Sequence, residues 1–103
     1  MKRLLALPAL WALALPMAFT APDGAALYVE KTCVACHGAK ANKPLLPNYP
    51  KIAGQSAAYA EQQMKDIKSG ARANAQAAAM KGIMHLVDDA EIKTLAGWLE
   101  TLK

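Results

Sequence analysis

Cys33-Val34-Ala35-Cys36-His37 is the string on which the reading of this chain turns. A haem carries vinyl groups on two neighbouring pyrroles. Two thiols separated by two residues, near a helix end, can reach both and form thioethers. A histidine directly after the second cysteine then falls beneath the iron, so C-x-x-C-H reads as covalent haem attachment. Three other readings use the same residues. A thioredoxin-like redox pair needs a strand–helix–strand setting, and no stretch here alternates like a strand. A zinc site would have to recruit His85, the other of two histidines, and adjacent Cys36 and His37 suit a tetrahedron poorly. A structural disulfide is open to any exported chain with two cysteines.

The residues upstream favour haem. Covalent attachment is completed outside the cytoplasm in bacteria, so it requires export. Lys2 and Arg3 form a positive start, and Leu4 to Ala18 is an apolar run broken by Pro8 and Pro16. Small residues follow at Ala18, Thr20 and Ala21. That layout is a secretory signal peptide, residues 1–20, cleaved near 20/21. Residues 21–103 are then one domain located in the periplasm. The apolar run is too short and too proline-broken to span comfortably. Membrane association is expected only through partners or an uncleaved signal.

Loss of Lys2 and Arg3 lowers the formal charge from +4 to +2, so the basic balance belongs partly to the targeting segment. No aromatic residues alternate with the basic ones as a base-stacking surface requires, and no nucleic-acid partner is expected. A mature domain of about 80 residues buries a modest share of its surface and often needs a staple. Here alanine is abundant, and the one phenylalanine, Phe19, lies in or beside the signal. A large apolar cofactor would supply the missing core volume.

The mature part reads as helices joined by loops. Asp23 can cap a first helix reaching about Thr32. Pro44, Pro47 and Pro50 keep Gly38 to Gly54 irregular. Ser56 can cap a second helix ending at Ser69-Gly70, with Ala60, Met64 and Ile67 on one face. Ala71 to Leu86 reads as helix giving way to loop, because Gly82 interrupts it. Asp88 or Asp89 caps a last helix whose Ile92, Leu95, Ala96 and Leu99 form a stripe widened by Trp98 and Leu102.

What fills the sixth position of the iron decides the function. A thioether makes an electron carrier of raised potential, and an open site permits ligand binding or oxygen chemistry. Met64, Met80, Met84 and His85 are the candidates. Met64 sits on an apolar helix face and reads as core. His85 reads as a surface residue. Met80 is favoured over Met84, without the residues alone deciding between them.

The string Cys33 to Gly38, with Asn48-Tyr-Pro-Lys-Ile-Ala-Gly-Gln55, resembles the class I cytochromes c. It is most similar to the small bacterial periplasmic branch that includes each half of the dihaem proteins. Tyr59 to Arg72 and Met80 to Asp88 share the resemblance, which covers essentially the whole mature chain. It implies an all-α fold wrapped around one covalent haem c, with the first and last helices crossing. It implies His37 as proximal and Met80 as distal iron ligand. Pro50 would accept the Nδ1 proton of the histidine, Ile52 would pack on the haem, and Gly24 and Trp98 would meet where the helices cross. Two departures stand before the last helix, Val87 for the usual leucine and Asp88 for the usual serine.

The function so implied is one-electron transfer in a respiratory or related chain, not catalysis. The expected partners are redox proteins, a reductase or an oxidase, with no small-molecule substrate. Lys31, Lys40, Lys43, Lys51, Lys65, Lys68, Arg72 and Lys81 face only Glu61 and Asp66 in that stretch, whereas Asp88, Asp89, Glu91 and Glu100 cluster on the last helix. Such asymmetry can orient a charged partner. Tyr28, Tyr49 and Tyr59 read as core or rim residues able to reach propionates. A haem sensor or peroxidase-type enzyme is the alternative if the sixth site is open. A haem subunit of a larger enzyme would share the carrier's chemistry.

Overall fold

Asp23 opens the first regular element. Its carboxylate accepts a hydrogen bond from the Ala26 N–H at 2.8 Å, starting helix α1, Gly24–Glu30. The structure, a computed structural model, describes residues 23–103; the expected signal peptide, residues 1–20, lies outside them. Every regular element among the described residues is a helix. Leu27 and Tyr28 turn inward from α1 and are buried.

The first helix stops just short of Thr32, close to where it was expected to end. Thr32 has φ 64°, the left-handed region that a β-branched side chain tolerates poorly. This reverses the backbone for one residue and starts a separate helix α2, Cys33–His37. Gly38 ends α2 at φ 85°, and a Cβ there would collide with the Lys43 carbonyl oxygen. Only glycine fits both demands. The irregular stretch that follows is pinned from inside. The carbonyl of fully buried Ala41 accepts the N–H groups of Ile52 and Ala53, both at 3.0 Å.

Ser56 caps helix α3, Ala57–Ser69, accepting from the Tyr59 N–H at 3.3 Å. Ala60, Met64 and Ile67 form its buried face, as their spacing implied. Gly70 closes it in the left-handed conformation. The order within Ala71 to Leu86 is the reverse of the expectation. The loop comes first, because the Arg72 N–H turns back to the Asp66 carbonyl at 3.0 Å and Ala75 has φ 51°. Helix α4, Ala77–Met84, follows and passes through Gly82, which sits exposed with room around it. Asp88 rather than Asp89 caps helix α5, Asp89–Glu100, in a reciprocal box with Glu91.

Helix α5 braces the molecule, packing its Ile92, Leu95, Ala96 and Leu99 against α1 and α3. At the crossing with α1, Gly24 lies directly against Trp98, and the rings of Tyr28 and Trp98 stand 5.0 Å apart. Lys31 and Glu91 join the same two helices at 3.4 Å. A Cβ on Gly24 would overlap the Trp98 Cβ and come within 3.0 Å of the Thr94 carbonyl oxygen. Neither is the free end of a flexible chain. Gly24→Ala is therefore expected to destabilise by about 3 kcal/mol or more, at or above the usual range for overpacking. Denaturant unfolding of the holoprotein measures it, and a loss below about 1 kcal/mol would mean that the crossing yields easily.

Candidate functional site

The elements leave between them a cavity of about 560 Å³. Helix α2 contributes Cys33, Cys36 and His37, the irregular stretch Pro50 and Ile52, and the later helices Met64, Met80 and Met84. Residues thirty to fifty positions apart in sequence thus share one space, in the size range of cofactor sites.

The imidazole is the most constrained of these groups. His37 is 7% exposed, and its Nδ1 lies 3.0 Å from the Pro50 carbonyl oxygen. A carbonyl can only accept, so Nδ1 carries the proton and donates it. Among the described residues Nε2 has no hydrogen-bond partner, and His37 lines the cavity. The ring is therefore held in one tautomer with a lone pair free. Tyr28 secures the same helix end, donating its hydroxyl to the Gly38 carbonyl. Burial, then the charge of Cys33, pushes the Tyr28 pKa up to about 12 against the opposing effect of the Ala41 backbone. The hydroxyl stays a donor throughout the neutral range.

Cys33 is half-buried and Cys36 exposed, and the two are free thiols. Burial first, and then the charge of Cys36, raises the Cys33 pKa, against the lowering by its own backbone N–H. A site that disfavours thiolate suits an uncharged sulfur such as a thioether. Among the described residues no three His, Cys, Asp or Glu side chains come together as a metal site of their own. That leaves a mixed Cys/His zinc centre without a full ligand set.

Of the sixth-position candidates, Met80 is half-buried on α4 and lines the cavity. Met84, one turn further on the same helix, lines it too and is 2% exposed. Met64 is buried on α3 at the same cavity. His85 is exposed beyond the end of α4. Ile52 is half-buried against the core. Tyr49 and Tyr59 also line the cavity, the latter 53% exposed.

Two thiols at vinyl spacing, one imidazole with a free Nε2, thioethers on other helices and an apolar surround fit a covalent haem. Sequence reasoning missed one group. Gln63, Arg72 and Asn74 line the cavity together, with Arg72 bonded to both neighbours. Arg72 had counted only as surface charge, and nothing in the spacing of these residues signals that they meet.

Comparison with known proteins agrees with a covalent haem. The sequence model of the family described as Cytochrome c matches residues 21–103. Cytochrome c4 of Pseudomonas aeruginosa is 38% identical over 88 residues, 84% of this chain and 42% of that protein. The thiosulfate dehydrogenase electron acceptor of Stutzerimonas stutzeri is 34% identical over 98 residues, 88% of this chain and 44% of that protein. This chain thus spans less than half the length of either relative. Cytochrome c-553 of Helicobacter pylori is 38% identical over 95 residues, 92% of this chain and 94% of that protein. The chain therefore belongs to the cytochrome c family, whose members hold haem c covalently and pass single electrons.

Proposed function

We propose that this protein is a periplasmic monohaem carrier, with iron held by His37 and Met80, working in a respiratory or related electron-transfer chain. The observation that supports it is the meeting of Cys33, Cys36, His37 and Met80 at one apolar cavity. When bound, haem c supplies an iron that cycles between ferrous and ferric states by one electron. The residues do the rest. Cys33 and Cys36 hold the macrocycle through thioethers. The Pro50 carbonyl fixes the ring of His37 and raises its basicity. Met80 offers a thioether, which favours the ferrous state, and Ile52 packs against the ring system. Two fixed ligands leave little to rearrange when an electron arrives.

The partner is a redox protein, a reductase or oxidase. The name of the S. stutzeri relative extends the proposal to a dehydrogenase as electron donor. Lys40, Lys43 and Lys51 are exposed, and Lys51 lines the haem cavity. Lys31 and Lys65 are paired within the chain. Lys40, Lys43 and Lys51 are thus among the cations available to an acidic partner. No described helix is long and apolar enough to cross a membrane.

The test is covalency. Denatured protein purified from periplasm is expected to keep its haem through acid–acetone extraction. Its mass should equal the polypeptide cleaved near residue 20 plus one haem. Cys33→Ala or Cys36→Ala should weaken or abolish retention. Extraction of the cofactor from the wild type would overturn the proposal.

A further inference from the structure

Helix α4 carries Met80, yet little within the helix holds it in place. It has eight residues, and Gln76 at its start provides no side-chain cap. A short, uncapped helix with a glycine inside it is marginal by itself. Its opening turn is loose. The Met80 N–H reaches the Gln76 carbonyl at 3.4 Å, and Ala75 just before has φ 51°. What keeps α4 in position must therefore come from its neighbours.

Its far end is tied down. Lys68 crosses from α3, and its ammonium donates to the Val87 carbonyl at 2.6 Å. Among the described residues that carbonyl has no other hydrogen-bond partner. Lys68 is half-buried, and Val87 is 1% exposed. No described carboxylate lies within ion-pair distance of Lys68, so its charge is spent on a carbonyl. A cation just past the end of α4 also complements that helix's dipole, and a charge-assisted bond is among the stronger kinds. The same joint receives a tie from the attachment side. Glu91 closes the cap of α5 with one oxygen and meets Lys31 with the other at 3.4 Å, two residues before Cys33. Both side chains of that second pair are partly exposed, so it holds the joint less firmly.

Resting on the reading of Met80 as distal ligand, we propose that Lys68 is a positioning residue for that ligand: its bond to the Val87 carbonyl fixes the base of α4 against α3 and so keeps the Met80 sulfur on the iron. Lys68 is not among the residues that line the cavity, so it acts through the helix and not on the haem. Without its ammonium the Val87 carbonyl loses its partner, and α4 leaves its place against α3 more often. Each departure carries the thioether off the iron and opens the sixth position to outside ligands.

The experiment follows the reaction of ferric holoprotein with cyanide by stopped flow, for wild type, Lys68→Met, Lys68→Arg and Gly24→Ala. At saturating cyanide the rate is set by release of Met80. Lys68→Met keeps the apolar stem and removes the donor. Its saturating rate should rise about tenfold or more, the usual worth of a hydrogen bond to a charged group. Its ferric sulfur-to-iron band should also fade at a lower temperature than in wild type. Lys68→Arg keeps a charged donor and should stay near wild type. Gly24→Ala strains the distant crossing of α1 and α5, so its rate should stay near wild type although its overall stability falls. Equal acceleration in Gly24→Ala and Lys68→Met would overturn the proposal, because release would then follow overall stability. A Lys68→Met rate equal to that of wild type would overturn it as well. Lys68→Gln, neutral and shorter, supplies the same comparison should Lys68→Met not accumulate. A wild type that lacks the band, or whose reaction with cyanide never saturates, fails the reading of Met80 itself, and Met80→Ala tests that separately.

Discussion

Met80→Ala is expected to abolish the weak charge-transfer band that sulfur-to-iron bonding gives ferric protein at the red end of the visible spectrum. Its midpoint potential should fall, because the thioether favours ferrous iron relative to water or nitrogen. The variant should also gain affinity for cyanide and carbon monoxide. The control is Met84→Ala. Met80 and Met84 stand one turn apart on α4, on the same face, and both reach the cavity. Met84 is buried to 2% exposure, so its loss should cost packing, roughly 2–5 kcal/mol, and leave the band in place. Band loss in Met84→Ala with retention in Met80→Ala would move the ligand one turn along α4. A wild type that already binds carbon monoxide readily would open the sixth site and favour the sensor or enzyme reading.

Chain produced without haem attachment is expected to be largely unfolded. The cavity of about 560 Å³ is a space the fold cannot close by itself. At about 24 cal/mol per Å³ an empty cavity of that size would cost on the order of 13 kcal/mol. Entry of water through its open side lowers that figure. The whole stability of a domain of about 80 residues is only about 4–12 kcal/mol. Far-UV circular dichroism of the apoprotein checks this directly. A native-like helical spectrum with a cooperative melt would show that the polypeptide supplies enough core alone.

Much of this was legible in the sequence because the signals were local. Asp23, Ser56 and Asp88 cap the helices that their positions announced, and Gly70 ends α3. The stripe of α5 is buried where its spacing put it. The end of the first helix near Thr32 was legible, but its left-handed turn was not, because such backbone is announced by glycine or asparagine and threonine resists it. The order of loop and helix after Gly70 was misread for a related reason. Alanine favours helix on both sides of Ala75, and the turn is imposed by the Arg72–Asp66 backbone bond. Gly82 weakened the case for a helix without preventing one, as tertiary packing of Met84 outweighs a single glycine. The meeting of Gln63, Arg72 and Asn74 depends on that same turn, so it was hidden with it.

The crossing of α1 with α5 also bears on how the haem gets in. Gly24 and Trp98 lie at opposite ends of the domain's sequence, yet they touch. The Cys33–His37 segment lies inside the long stretch of chain that separates them. Until α5 docks on α1, Leu27 and Tyr28 lack that cover, and the closing contact bears the loop entropy of nearly the entire domain. The thiols of an exported, haem-free chain therefore lie on an open segment. The crossing is expected to close once haem fills the cavity, so by its own topology the chain keeps its attachment point reachable until the cofactor is in place.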